Sequence, residues 1–135
     1  MASADIELMA HLMRRAGFGA TYEELEQFAA NGYDATVDEL LSPMEQPDLE
    51  VDLLERYFID WKEMNALEVN QAYLTYRMIN TKRPLQEKMT LFWHGIFCVG
   101  NSKCEHGAQI QTQLNMFREK GMGSFPELLL ALSVD

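Results

Sequence analysis

The chain has 135 residues, 47% of them hydrophobic and 10% aromatic, which is enough apolar material for one domain with its own core and excludes a disordered tail. The 11 basic residues stand against 21 acidic ones, for a formal charge of −10; that balance repels a phosphate backbone or an anionic lipid surface and excludes nucleic acid as a partner. No apolar run approaches the roughly 20 residues that cross a bilayer, and Met1 to Glu7 lacks the basic-then-apolar order of a secretory signal, so neither a membrane span nor a signal peptide is expected and the compartment stays open.

From Ile6, the apolar residues Met9, Leu12, Met13 and Ala16 recur at helical steps, with Arg14 and Arg15 in the last turn and Gly17 as the stop. Thr21 and Glu24 form the letters of a capping box for a second helix, whose inner face is Leu25, Phe28 and Ala29 and whose end is Asn31-Gly32. Asp34 is placed to cap a third, in which Val37, Leu40 and Leu41 face inward before Ser42-Pro43 breaks it. Residues 42–48, with two prolines among polar residues, read as a linker between these short helices and a longer helical region within a single domain over 1–135.

Beyond the linker, Leu54, Tyr57, Phe58, Trp61 and Met64 fit one helical stripe, and Val69, Tyr73, Tyr76 and Arg77 another, with a bend near Asn65. Arg83-Pro84 ends that run and opens the next helix, because proline disfavours helical backbone in its predecessor yet suits a first helical turn. On this helix Leu85, Met89, Phe92, Trp93, Ile96 and Val99 gather on one side, which predicts a central packing element. A polar loop from Gly100 to Gly107 follows, then a helix presenting Ile110, Leu114 and Phe117. Ser124 and Glu127 read as another capping box before Leu128, Leu129, Leu130, Leu132 and Val134. Strand alternation is absent. The expected fold is an all-α, irregular multi-helix bundle.

The last helix is apolar nearly all round, so the sequence is read as an amino-terminal fragment of a larger helical protein. Either the remainder of the full-length chain or a homodimer mate would cover Leu128 to Val134.

Three features carry candidate chemistry. His94, Cys98, Cys104 and His106 are ligand types that suit tetrahedral zinc, although no CxxC pair or HExxH accompanies them and two ordinary half-buried cysteines explain the same letters. Glu87 and His94 share a polar face of the Pro84 helix that could line a pocket, yet at about 10 Å along the axis they are too far apart for a simple acid-base dyad, and hydrogen bonds to a neighbouring helix or to water explain the same face. Arg14 and Arg15 ahead of Gly17-Phe18-Gly19 could frame an anion nest, or mark a glycine-stopped helix with basic last-turn residues. No nucleophile elbow or phosphate loop surrounds any serine, and no cofactor is expected.

Two stretches, His11-Leu12-Met13-Arg14-Arg15-Ala16-Gly17-Phe18-Gly19-Ala20-Thr21 and Arg83-Pro84-Leu85-Gln86-Glu87-Lys88-Met89-Thr90-Leu91-Phe92-Trp93-His94-Gly95, resemble the bacterial family called domain of unknown function 1800. The likeness continues through Leu74-Thr75-Tyr76-Arg77-Met78 and Phe125-Pro126-Glu127-Leu128-Leu129. It implies a longer protein of which this is the first part. Members often carry a histidine two residues after the position of His94, where this chain has Ile96, and this weakens a metal site on that helix. The resemblance brings no reaction; its gene neighbours imply a helper role beside an exported hydrolase-like partner. The leading expectation is a helical interaction or scaffold module with Arg14, Arg15, Glu87 and His94 as its candidate functional surface. The alternatives are the amino-terminal part of an enzyme with its catalytic groups elsewhere, and a zinc-binding module.

Overall fold

The computed structural model describes residues 3–49, 67–97 and 107–134. Within them the chain is all α, with seven α-helices, one short 3-10 turn and no strand. Helices α1 (Ser3–Ala16), α2 (Tyr22–Asn31) and α3 (Tyr33–Leu41) open the chain, and the 3-10 turn is Pro43–Glu45. After them come α4 (Leu67–Asn80), α5 (Pro84–Ile96), α6 (Gly107–Lys120) and α7 (Phe125–Leu132). The stripe from Leu54 to Met64, the bend near Asn65 and the loop from Gly100 to Gly107 fall wholly or mostly outside the described residues.

The local signals act through specific bonds. At the start of α2 the Thr21 amide donates to Glu24 Oε2 at 2.8 Å, and the Glu24 amide donates to Thr21 Oγ1 at 3.3 Å, a reciprocal cap worth about 1 kcal/mol. Gly32 leaves α2 with φ +94°, backbone that a side chain resists, and α3 begins on the next residue. Asp34 therefore lies inside the first turn of α3 and is not its cap. Ser124 precedes α7 but makes no side-chain cap bond, so the second expected capping box is not formed. On α3 the buried residue is Thr36, whose hydroxyl donates to the carbonyls of Phe28 and Gly32, while Leu41 is exposed.

Two apolar centres hold the helices. Met9, Met13 and Leu25 are buried together, with Ile6, Leu12, Phe28 and Leu40 packed around them. Leu114, Phe117 and Leu128 are buried at the other end, beside the ring pairs Phe97–Phe117 and Trp93–Phe125. Helix α5 contacts α1, α3, α4 and α6 and is the central element, as expected.

Its orientation is not the expected one. The residues of α5 that disappear from solvent are Gln86, Glu87 and Thr90, whereas Phe92 and Ile96 are about half exposed. The physical reason is that the polar face of α5 meets arginines from two neighbouring helices, so its polar groups find charged partners inside the molecule.

Candidate functional site

Four segments meet at the polar face of α5. Glu87 projects from its first turn and is fully buried. Arg77, near the end of α4, donates from Nε to Glu87 Oε1 at 2.7 Å. Arg118, near the end of α6, donates from Nε to the same oxygen at 2.8 Å and from Nη2 to Oε2 at 3.1 Å. The other nitrogens of both guanidinium groups are engaged as well: Arg77 Nη1 donates to the Tyr73 hydroxyl at 3.0 Å, Arg77 Nη2 to Asp48 Oδ1 at 2.7 Å, and Arg118 Nη1 to Asn115 Oδ1 at 2.6 Å.

Glu87 pairs with both buried guanidinium groups, and the half-exposed Asp48 adds a second carboxylate on Arg77; such pairing is the condition under which buried charge is tolerated. Burial by itself would ease the proton off Arg77, but the hydrogen bond and charge of Glu87 outweigh it and raise its proton affinity above the ordinary arginine value. Burial likewise pushes Asp48 up, and the hydrogen bonds from Arg77 and from the Leu49 amide pull it below the ordinary carboxylate value.

Asp48 belongs to the segment expected to be a linker, and the structure fastens that segment. Arg83, at the α4–α5 corner, donates from Nε and Nη2 to the Gln46 carbonyl at 2.8 and 2.6 Å, and its Nη1 lies 3.6 Å from Asp48 Oδ2. Residues 46–48 are thus gripped by two arginines.

Chemically this centre is spent. Both oxygens of Glu87 already accept arginine hydrogen bonds and the residue is fully buried, so its carboxylate is committed to the two guanidinium groups and is not presented to a substrate at the surface. The expected surface around Glu87 is therefore an interior: Thr90 is fully buried, with its hydroxyl on the Gln86 carbonyl, and Gln86 Nε2 donates to the Arg118 carbonyl. His94 lies two turns along α5, is half-buried, and its buried Nδ1 has no hydrogen-bond partner; no bond joins it to Glu87.

Arg14 and Arg15 sit exposed on α1. The nest beside them is not available to an anion, because the amides of Gly17 and Gly19 both donate to the Met13 carbonyl and so cap α1. Cys98, Cys104 and His106 lie outside the described residues, and among the described residues no group of three His, Cys, Asp or Glu is placed to hold a metal ion.

Sequence reasoning missed Arg118, Asp48 and the depth of Glu87. A signal existed for Arg118, which follows Leu114 by four residues and so continues the buried stripe of α6. Nothing in the neighbourhood of Asp48 marks it.

The structure also joins the stretches that carried the family resemblance. Gly17 packs so closely on Pro84 that an added Cβ would stand 2.9 Å from the proline Cβ. Lys88 Nζ donates to the Gly17 carbonyl at 2.9 Å and lies over the Phe18 ring at 5.2 Å. Arg77 reaches Glu87, and Phe125 stacks on Trp93 at 5.6 Å. Each stretch therefore touches α5. The sequence profile of the Protein of unknown function (DUF1800) family matches residues 11–135.

The chain belongs to the DUF1800 family. No curated protein and no solved structure matches it. Among the described residues of this DUF1800 chain, no helix is long and apolar enough to cross a membrane.

Proposed function

We propose that this DUF1800 chain is a helical interaction or scaffold module that presents an apolar surface made by α5 and α7 to another protein surface. The observation that supports the reading is that α5 turns its polar residues Gln86, Glu87 and Thr90 inward and its apolar residues Phe92 and Ile96 outward. Phe92 and Ile96, one turn apart on α5, are 52% and 54% exposed. Phe92 meets Trp93 at 5.0 Å, and Trp93 stacks on Phe125 at 5.6 Å. Leu129 continues the strip one turn on, and Leu130 and Val134 are 69% and 86% exposed. Monomeric proteins seldom leave aromatic and aliphatic side chains so gathered without a use.

The last helix is thus half covered. Leu128 is buried against the rest of the chain while its neighbours Leu129 and Leu130 are not. A further part of a longer chain, or a homodimer mate, would meet the same surface. Light scattering and binding of a dye that fluoresces on exposed apolar surface test this together. The expected result is dye binding or concentration-dependent association that disappears in Phe92→Asp with Leu130→Asp, helical content being retained. A monomer that binds no dye overturns the reading.

A further inference from the structure

The cleft between the opening helices and the α4–α5 corner shares no lining residue with the α5–α7 surface. Its volume is about 460 Å³, within the roughly 300–1,000 Å³ typical of small-molecule sites. Phe28 of α2, Leu40 of α3, Ile79 of α4 and Pro84 of α5 supply apolar lining. Ile79 is 76% exposed, so an aliphatic side chain at the cleft stands uncovered.

The lining has no net charge. It holds two carboxylates, Glu24 and Glu39, and two cations, Lys82 and Arg83. Each is already engaged: Glu24 accepts from Thr21 and feels the charge of Lys82, Glu39 accepts from Gln46 Nε2, and Arg83 donates to the Gln46 carbonyl beside Asp48. Helix ends balance as well. Helices α2 and α3 line the cleft from first turn to last, the carboxyl-terminal end of α4 meets the amino-terminal end of α5 there, and the end of α1 is capped by the Gly17 and Gly19 amides. An ion that left water for this cleft would find no uncompensated opposite charge.

Two uncharged side chains of the lining are not engaged. Gln27 and Asn31 stand one turn apart on the stripe of α2 that carries Phe28, are exposed, and make no hydrogen bond among the described residues. Each carboxamide offers two N–H donors and a carbonyl acceptor. A neutral group that both donates and accepts matches them, and an amide does so with the same pair of groups.

We propose that the cleft binds an uncharged amide on an apolar stem, its stem against Phe28, Leu40 and Ile79 and its amide hydrogen-bonded to the carboxamides of Gln27 and Asn31. Volume and apolar lining account for the stem, charge balance for the neutrality of the head, and the two unengaged carboxamides for its hydrogen-bonding character.

The test is an NMR titration of the whole chain with hexanamide, with hexanoate, hexylammonium and hexanol as controls of the same stem. The expected result is saturable shifts at the backbone amides of Gln27, Asn31 and Ile79 for hexanamide, with a Kd of about 1 mM, and binding about tenfold weaker or less for both ions and severalfold weaker for hexanol. Gln27→Ala with Asn31→Ala, both at exposed positions of α2 where alanine suits the helix, is expected to lower the hexanamide affinity about fivefold and leave that of hexanol unchanged. Tighter binding of N-acetyl-leucinamide than of hexanamide assigns the amide to a peptide, and the reverse assigns it to a free acyl amide; both support the site. The proposal fails if hexanamide shifts none of these amides, if either ion or hexanol binds as tightly as hexanamide, or if the double substitution leaves the hexanamide affinity unchanged.

Discussion

Glu87→Gln keeps the shape of the side chain and removes its charge, so it isolates what the carboxylate does. In the structure both Nε atoms bond Oε1, at 2.7 and 2.8 Å, which holds them within about 5.5 Å of each other. Two unit charges at about that distance repel by about 3 kcal/mol at an effective dielectric of about 20. With Glu87 neutral, Asp48 is the remaining counter-charge on Arg77, and it is 51% exposed. The amide must also point its NH2 at an arginine donor: if its oxygen keeps the two Nε bonds, the nitrogen faces Arg118 Nη2, 3.1 Å away in the native pair. A loss of about 3–5 kcal/mol follows, the range for breaking a buried ion pair from one side. At this chain length that is a fall in Tm of roughly 10–20 °C. Circular dichroism melts and urea titrations measure it. A control separates charge from packing: Arg77→Met, Glu87→Leu and Arg118→Met together remove all three charges and are expected to recover at least half of the lost stability. A Tm for Glu87→Gln within about 3 °C of the native value would refute the dependence of both guanidinium groups on this carboxylate.

Acid stability depends on the depressed carboxyls. Asp48 is held below its ordinary value of 3.8 by Arg77 and the Leu49 amide against the opposing effect of burial, and Glu24 is held below 4.5 chiefly by hydrogen bonds from Thr21. A depressed folded-state value stabilises at pH above the unfolded value and is lost as pH falls through the folded one. Stability is therefore expected to be level with respect to these two groups above about pH 5 and to decline below it; Asp48→Asn reduces the slope of that decline, and denaturant titrations at a series of pH values that give the same slope for both proteins would contradict the assignment. Gly121→Ala places a Cβ 2.7 Å from Trp93 Cδ1 and closer still to the Phe117 carbonyl, at the point where Trp93 Nε1 donates to the Gly121 carbonyl at 2.7 Å. The expected cost is about 1–3 kcal/mol, the usual range for overpacking, and a thermal melt unchanged from native would show that the α6–α7 turn yields without strain.

What the sequence discloses here depends on the range of the interaction that fixes it. The ends of α1 and α2 and the start of α5 are set by residues within four positions of one another, and Gly17, Thr21 with Glu24, Gly32 and Pro84 mark them correctly. Asp34 and Ser124 fail because a capping residue type needs the backbone to present an amide to it: Gly32 displaces the first from the cap position, and the Ser124 side chain does not bond. The inward face of α5 was read the wrong way round. Periodicity ranks residues by hydropathy, and it placed Phe92 and Ile96 inside; they are about half exposed, and the polar face carrying Glu87 turns inward instead, because Arg77 and Arg118 arrive from helices whose positions periodicity does not contain. The zinc quartet has only His94 among the described residues.

The arginine grip on residues 46–48 and the Arg118 bond to Glu87 span sequence separations of 29, 31 and 37 residues. None of these bonds can form inside a single helix, so they register only after separate parts of the chain have come together. A collapsed chain with its helices in another order would trap the same carboxylate and guanidinium groups without partners, at a cost of several kcal/mol for each charge. The polar centre thus works as a check on topology: apolar side chains accept many neighbours, but one glutamate between two arginines admits a narrow set of assemblies and raises the energy of the rest.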